Sequence, residues 1–358
     1  MSKHSRKISP WLKSIKPISD FPDSISTSVH NTRTYKPVIL LTGASSGIGF
    51  AVAKMLTLHD EYRVVITSRR TSLFDLRKEF QEDHRFWIRP LDVTVEEQRN
   101  LLVQEINEKW GGVDILINNA GISYRSVVEH MTEADEFYQM STNYFGPIAL
   151  MRAVLPSMRE KGRGKIINIS SVSGMLAMPT MSSYTASKYA LEGASESLWY
   201  EARPLGIDVV LLQPGFIRSE SFRRVYHSQK SHPSQSHGGP YSDYYANMVP
   251  FIEKLMNWSF VTPEKMAQLV LKVIQWQRPP LRIAATPDAI LFSLLRRFIP
   301  RRWLQPILFS FLPRAKHWAR YYSRRRPPLF MKFRKDKKKS RDFATPVYAE
   351  DLKKTGTD

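Results

Sequence analysis

The chain of 358 residues contains no cysteine. That absence removes disulfides, thiolate metal sites and a cysteine nucleophile, and it is compatible with a reducing compartment. Long apolar runs are missing as well: no stretch reaches the roughly 18 to 20 consecutive apolar residues that a helix needs to cross a bilayer. The opening MSKHSRKISPWLKSIKPISDFPDS carries charges and prolines where a secretion signal needs an unbroken apolar segment, so it does not read as one. Acids are almost absent from one region. Residues 296–341 hold 17 Lys/Arg against 1 acid, whereas 38–295 are nearly balanced at 27 against 26, and 1–37 hold 7 against 2. A nearly neutral body therefore carries a basic arm, 1–35, and a basic C-terminal region.

What is present in the body alternates. Short β-branched runs occur as VILLTG (38–43), RVVITSR (63–69), FWIRPLDV (86–93), VDILINNAG (113–121), GKIINISS (164–171), IDVVLLQPG (207–215) and LRIAATP (281–287). Between most of them lie stretches with helical spacing of apolar residues, such as EEQRNLLVQEINEKW. Buried strands joined by helices imply a parallel sheet covered on both faces. The expected fold is an α/β, Rossmann-like doubly wound sheet of about seven strands, over residues 36–288, with a basic and apolar C-terminal extension.

The first strand runs directly into TGASSGIG, Thr42 to Gly49. A glycine turn between strand and helix lets backbone approach a pyrophosphate, whose charge the helix N-terminus favours. Such turns also occur without a ligand. The glycines, Gly43, Gly47 and Gly49, are spaced differently from the commoner GxGxxG. Further on come NNAG (Asn118 to Gly121) and YTASK (Tyr184 to Lys188). Tyr184 and Lys188 stand four apart in a segment of helical character and so share one face.

This ordered set resembles the short-chain dehydrogenase/reductase family, over roughly residues 36–290. The resemblance implies an oxidoreductase in which Tyr184 is the acid/base, Ser171 orients a substrate carbonyl and Lys188 lowers the tyrosine pKa while contacting the nicotinamide ribose. It also implies that Asn143, in STNYFG, helps hold a water that links the lysine to solvent. A free tyrosine has a pKa near 10, and lowering it by about 2 to 3 pH units takes roughly 3 to 4 kcal/mol, which a nearby ammonium and an oxidised nicotinamide ring favour. By the same resemblance Thr42, Gly43, Ser45, Ser46, Gly47, Ile48 and Gly49 form the cofactor turn. Asp92 and Val93 stand by the adenine, Asn119, Ala120 and Gly121 line the adenosine side, and Pro214, Gly215, Ile217 and Ser219 meet the carboxamide. Serine at 219 replaces the family's usual threonine and keeps the hydroxyl.

The end of the second strand, VVITSRRTS, bears on cofactor choice. An acid there binds a ribose 2′-hydroxyl, whereas arginine accommodates a 2′-phosphate. Ser68 occupies the acid position, followed by Arg69 and Arg70, so NADP(H) is expected over NAD(H). One departure is Ser46, where many NADP members have a basic residue.

Residues 216–262 are expected to form a long, polar, irregular substrate lid. Its aromatics Phe222, Tyr226, Tyr244, Tyr245 and Trp258 are expected to touch a hydrophobic small-molecule substrate. Three histidines there, His227, His232 and His237, read as solvated loop residues rather than metal ligands, and no metal is expected.

The extension 289–330 has two apolar cassettes, Ile290 to Leu295 and Ile307 to Leu312, flanked by arginines, with Trp303, Trp318, Tyr321 and Tyr322 nearby. Such a segment suits the surface of an anionic membrane. A helical cap on the body is a second reading, and nonspecific nucleic-acid binding through KFRKDKKKSR a third, disfavoured one. Residues 331–358 read as a charged, disordered tail. A cytoplasmic enzyme, free or peripheral on the cytoplasmic face of a membrane, is expected. The family resemblance implies a homodimer or homotetramer. In general form the body is similar to hydroxysteroid and retinol dehydrogenases and to lipid ketoreductases.

Overall fold

The computed structural model describes residues 35–219, 225–232 and 239–318. The basic arm up to residue 34, the charged tail, and Phe222, His237, Tyr321 and Tyr322 lie outside the described residues. The first half of the body runs β1 (Val38–Leu41), α1 (Gly47–Leu56), β2 (Arg63–Ser68), α2 (Arg70–Glu79), β3 (Phe86–Pro90), α3 (Glu96–Trp110) and β4 (Ile115–Asn118). It continues with α4 (Glu133–Met140), α5 (Gly146–Lys161), β5 (Gly164–Ile169), α6 (Ser182–Ala202) and β6 (Ile207–Gln213). Then come α7 (Ser242–Trp258), α8 (Pro263–Gln275), β7 (Arg282–Ala284), α9 (Pro287–Phe298) and α10 (Arg301–Phe311).

All seven expected strands form one parallel sheet in the order β3-β2-β1-β4-β5-β6-β7. Alternation along each strand divides the core. In β1, Ile39 and Leu41 pack with Val52 and Leu56 of α1 and Val270 and Val273 of α8. Val38 and Leu40 face the other way, onto Val103 and Ile106 of α3 and Leu150 and Val154 of α5. Each such side chain contributes about 1.5 to 3 kcal/mol by leaving water. The sheet is thereby fixed from both faces, as doubly wound folds require.

A buried lysine supports the far side. Lys165 of β5 donates to the carbonyls of Val273, Ile274 and Trp276 at 2.9, 2.9 and 2.6 Å, placing its charge at the C-terminal end of α8, where a cation is favoured.

Two expectations change. The segment 216–262 is not irregular throughout, because residues 242–258 form α7. Tyr245, Met248 and Ile252 recur at helical spacing and are buried, but the Ser- and His-rich stretch before them and Pro250 within the helix mask that period. The two apolar cassettes of the extension are not free of the body either. They form α9 and α10, whose Phe292, Leu295, Ile299, Leu304 and Leu308 pack on Val172, Met175 and Leu176 just beyond β5. The cap reading therefore holds for one face of this segment. The opposite side still presents Leu291, Phe298, Trp303 and Phe311, which are 54%, 73%, 56% and 74% exposed.

Candidate active site

Each of the first six strands ends at one cleft. The sheet order reverses between β1 and β4, and the carboxyl ends of strands beside such a reversal are where doubly wound folds bind ligands. A cavity of about 670 Å³ opens there. From β1 it is lined by Gly43, Ser45, Ser46, Gly47 and Ile48, from β2 by Ser68 and Arg69, and from β3 by Asp92 and Val93. From β4 come Asn119, Ala120 and Gly121; from β5, Ser171; from α6, Tyr184 and Lys188; from β6, Pro214, Gly215, Ile217 and Ser219.

The glycine turn has a physical need for its glycines. Gly43 and Gly47 have φ of 70° and 58°, which L side chains rarely adopt. A Cβ at Gly49 would stand 2.2 Å from the Gly43 carbonyl oxygen and 2.4 Å from Asn119 Nδ2. Asn119 Nδ2 donates to the carbonyls of Thr42 and Gly43 at 3.0 and 2.9 Å, and Thr42 Oγ1 accepts from the amides of Asn119 and Ala120, both at 3.0 Å. Thr42 and Gly49 thus stand behind the cavity and hold the turn. Above Gly47 an added Cβ would meet nothing within 4 Å, so the turn leaves open space where a pyrophosphate would lie against the start of α1. The donor set and this open cradle fit a dinucleotide.

At the other end, Ser171 closes β5, and its Oγ accepts from the amide of Ser173 at 3.0 Å. Ser170 is the structural neighbour: its hydroxyl donates to Glu192 Oε1 at 2.7 Å in a buried network that Gln213 and Arg282 complete. Lys188 is buried, donates to the Ile169 carbonyl at 2.9 Å, and holds its ammonium 5.7 Å from the Tyr184 ring centroid. Burial brings the Lys188 ammonium down to about 8, with the Glu192 carboxylate one turn on opposing the shift. Burial also pushes the Tyr184 phenol above its ordinary value, against the pull of the Ser171 hydroxyl and the charge of Arg125.

Asn143 lies in a π-helical turn, Ser141–Phe145, between α4 and α5. Its Oδ1 accepts from the Ile122 amide at 2.9 Å, and its Nδ2 donates to the Ile122 carbonyl and Ser187 Oγ at 2.9 and 3.0 Å. It is buried behind Gly121, off the cavity wall; a Cβ on that glycine would come within 3.3 Å of Asn143 Oδ1 and 3.9 Å of Lys188 Nζ. Arg70 is likewise off the wall. The chain turns into α2 at that residue and leaves it exposed, so Arg69 alone of the pair reaches the cleft. Arg69 Nη1 donates to the hydroxyls of Tyr138 and Tyr226 at 3.2 and 3.3 Å.

The reading of the sequence missed Arg125. It lines the cavity with Tyr184 and is only 7% exposed. An arginine in SYRS, four residues past a strand-end glycine, reads as a solvated loop residue. What encloses it is tertiary: its amide donates to the Tyr226 carbonyl, and that of Ser126 to the Thr180 carbonyl, both at 2.9 Å.

The family model of short chain dehydrogenases matches residues 37–230. The chain is 34% identical over 275 residues to a 3-ketodihydrosphingosine reductase of Bacteroides thetaiotaomicron, covering 76% of this chain and 97% of that one. It is 32% identical over 287 residues to dehydrogenase/reductase SDR family member 7B of Xenopus laevis, covering 78% and 81%. Among solved structures, a short-chain dehydrogenase from Streptomyces avermitilis superposes with a TM-score of 0.64 at 33% identity, covering 77% and 98%. The chain belongs to the short-chain dehydrogenase/reductase family of oxidoreductases.

Proposed function

We propose that the chain is an NADP(H)-dependent oxidoreductase that interconverts a carbonyl and an alcohol on a hydrophobic, lipid-like substrate. The observation that carries this reading is the juxtaposition of Ser171, Tyr184 and Lys188 with an apolar wall of Met178, Met181, Phe216, Val225, Ile252 and Met256 in one cavity. When bound, the reduced nicotinamide supplies hydride to the carbonyl carbon. Tyr184 gives its proton to the carbonyl oxygen, and Ser171 donates a hydrogen bond that stabilises negative charge there. Lys188, cationic below about pH 8, favours the phenolate that proton transfer leaves behind. In the oxidative direction the same groups act in reverse. The 3-ketodihydrosphingosine reductase relative supports a lipid ketone as the substrate class. A panel of ketones graded by chain length tests this: NADPH oxidation is expected to be faster with long-chain members, and a preference for small water-soluble ketones overturns the lipid assignment.

Preference for NADP(H) rests on Arg69 at the cleft and on Ser68, rather than an acid, at the end of β2. Arg69→Gln is expected to weaken NADPH binding by at least about tenfold while leaving NADH within about twofold. Equal affinity of the unaltered protein for the two cofactors contradicts the assignment.

The exposed side of α9 and α10 supports peripheral attachment to an anionic membrane. Phe298 and Phe311 are exposed, as are Arg297 and Arg314, and no helix among the described residues is long and apolar enough to cross a bilayer. The amide of Gly215 donates to Thr286 Oγ1 and that of Phe216 to Asp288 Oδ2, so the start of α9 is bonded to a turn of the active site. Attachment here sets the cavity close to lipid. The protein is expected to cosediment with phosphatidylserine vesicles at moderate salt, and Phe298→Ser with Phe311→Ser to reduce the bound fraction severalfold; no cosedimentation removes this assignment. A homodimer or homotetramer through the α5 and α6 region is supported by the exposure of Phe145 and Tyr200.

A further inference from the structure

Arg69 does not stand alone at the end of β2. Its Nη1 meets two phenol hydroxyls, that of Tyr138 from α4 at 3.2 Å and that of Tyr226 from the segment 225–232 at 3.3 Å. All three residues line the cavity. The rings are held independently of the arginine. Tyr226 lies edge-on to Tyr138 with centroids 6.1 Å apart and against Tyr124 at 5.4 Å, and its amide donates to the Ser123 carbonyl at 2.9 Å.

The donors of this cluster define what it can hold. A phenol that accepts from a guanidinium still has its own proton to give, and among the described residues neither hydroxyl gives it to another group. Burial pushes the Tyr138 phenol above its ordinary value, against the charge of Arg69, so that proton stays in place at neutral pH. The two hydroxyls occupy Nη1 only, and a guanidinium carries further donors on its other nitrogens. α2 begins at the next residue with no acid in its first turn and no side-chain cap, and Ser72 of that turn also lines the cavity. The positive end of the helix dipole therefore adds to the same corner. Asp92, the carboxylate on this wall, has Oδ1 engaged by the amide and hydroxyl of Thr94 at 2.9 and 2.7 Å. Ser46 brings no charge from the glycine turn, so an anion here depends on Arg69 and on neutral donors beside it. A phosphate, with three acceptor oxygens, suits one cation flanked by two hydroxyls.

We propose that Tyr138 and Tyr226 complete, with Arg69, the subsite for the 2′-phosphate of the cofactor and so help to set its specificity. This deepens the reading of Arg69 as the NADP(H) determinant and rests on it. It also joins the two ends of the cavity. Tyr226 follows Val225 of the apolar wall, so a phosphate seated here fastens the 225–232 segment beside the substrate.

The test is binding of fragments, which does not depend on turnover. Adenosine 2′,5′-bisphosphate and 5′-AMP are titrated calorimetrically into the unaltered protein, Tyr138→Phe and Tyr226→Phe, each of which keeps its ring. The unaltered protein is expected to bind the bisphosphate at least about tenfold more tightly than 5′-AMP. Each variant is expected to lose about fivefold or more for the bisphosphate while 5′-AMP stays within about twofold, as the loss of one hydrogen bond to a charged group predicts. Hydrogen exchange at the Tyr226 amide is expected to slow with the bisphosphate and not with 5′-AMP. Equal binding of the two fragments by the unaltered protein sinks the NADP(H) reading and this subsite with it. A bisphosphate preference that both variants keep leaves NADP(H) standing and overturns the proposal. Tighter bisphosphate binding by the variants means that the tyrosines compete with the phosphate for Arg69, and equal weakening of both fragments means that they hold the adenosine side in general; either result overturns it. Equal slowing of exchange by both fragments overturns the fastening of the segment.

Discussion

Tyr184→Phe is expected to bind NADPH within about twofold of the unaltered protein and to lose about a thousandfold in turnover. The substitution removes one oxygen from a side chain that shares the cavity with Ser171 and Lys188, and it keeps the ring that packs beside Met181 and Ile252. Fold and cofactor cradle should therefore survive. The chemistry should not, because no other described hydroxyl combines a position beside Ser171 with a buried ammonium one helical turn on. Proton transfer by a positioned side chain contributes typically about 10² to 10⁴ in rate. Stopped-flow or steady-state NADPH oxidation with a long-chain ketone measures the effect. More than a tenth of normal turnover in the variant would mean that another group carries the proton.

Lys188→Met is expected to reduce kcat/KM for the ketone by about a hundredfold or more, and to change its pH dependence. In the unaltered protein burial holds the lysine at about 8. Below that value the ammonium is charged and favours the developing phenolate; above it the charge is lost, and burial already disfavours phenolate at Tyr184. The reductive kcat/KM should be level up to about pH 8 and then fall. Methionine has no proton to lose, so the variant's profile should lack that limb. A profile that breaks at the same place in the variant would assign the limb to another group. An unshifted rate at neutral pH would remove Lys188 from the mechanism.

The sheet was legible because its signal is local. Each strand is a short β-branched run that ends at a turn, and TGASSGIG and NNAG stand where such runs end, while YTASK opens α6. The expected strands ran past the observed ones into the turns, as VDILINNAG does beyond Asn118, because apolar composition does not stop where ladder bonding stops. The site was legible where a motif is contiguous. It was not where the third dimension decides. Arg69 and Arg70 are equivalent on paper, and only the start of α2 separates them. Arg125 carries no local mark, since the backbone bonds that fix its segment go to Tyr226 and Thr180 from elsewhere in the chain. The extension shows the same limit: its composition announced an amphipathic segment, but which residues face Val172 and Leu176 and which face outward follows from packing alone.

The central claim is that this cavity transfers hydride to a lipid carbonyl with Tyr184 as the acid. Its most direct test incubates the protein with NADPH deuterated at the transferable position and a lipid extract, beside Tyr184→Phe, and follows the lipids by mass spectrometry. An alcohol product that carries one deuterium on its carbinol carbon is expected from the unaltered protein and not from the variant. A deuterated product in equal amount from both proteins contradicts the role of Tyr184, and no labelled lipid despite bound NADPH contradicts the lipid carbonyl as substrate.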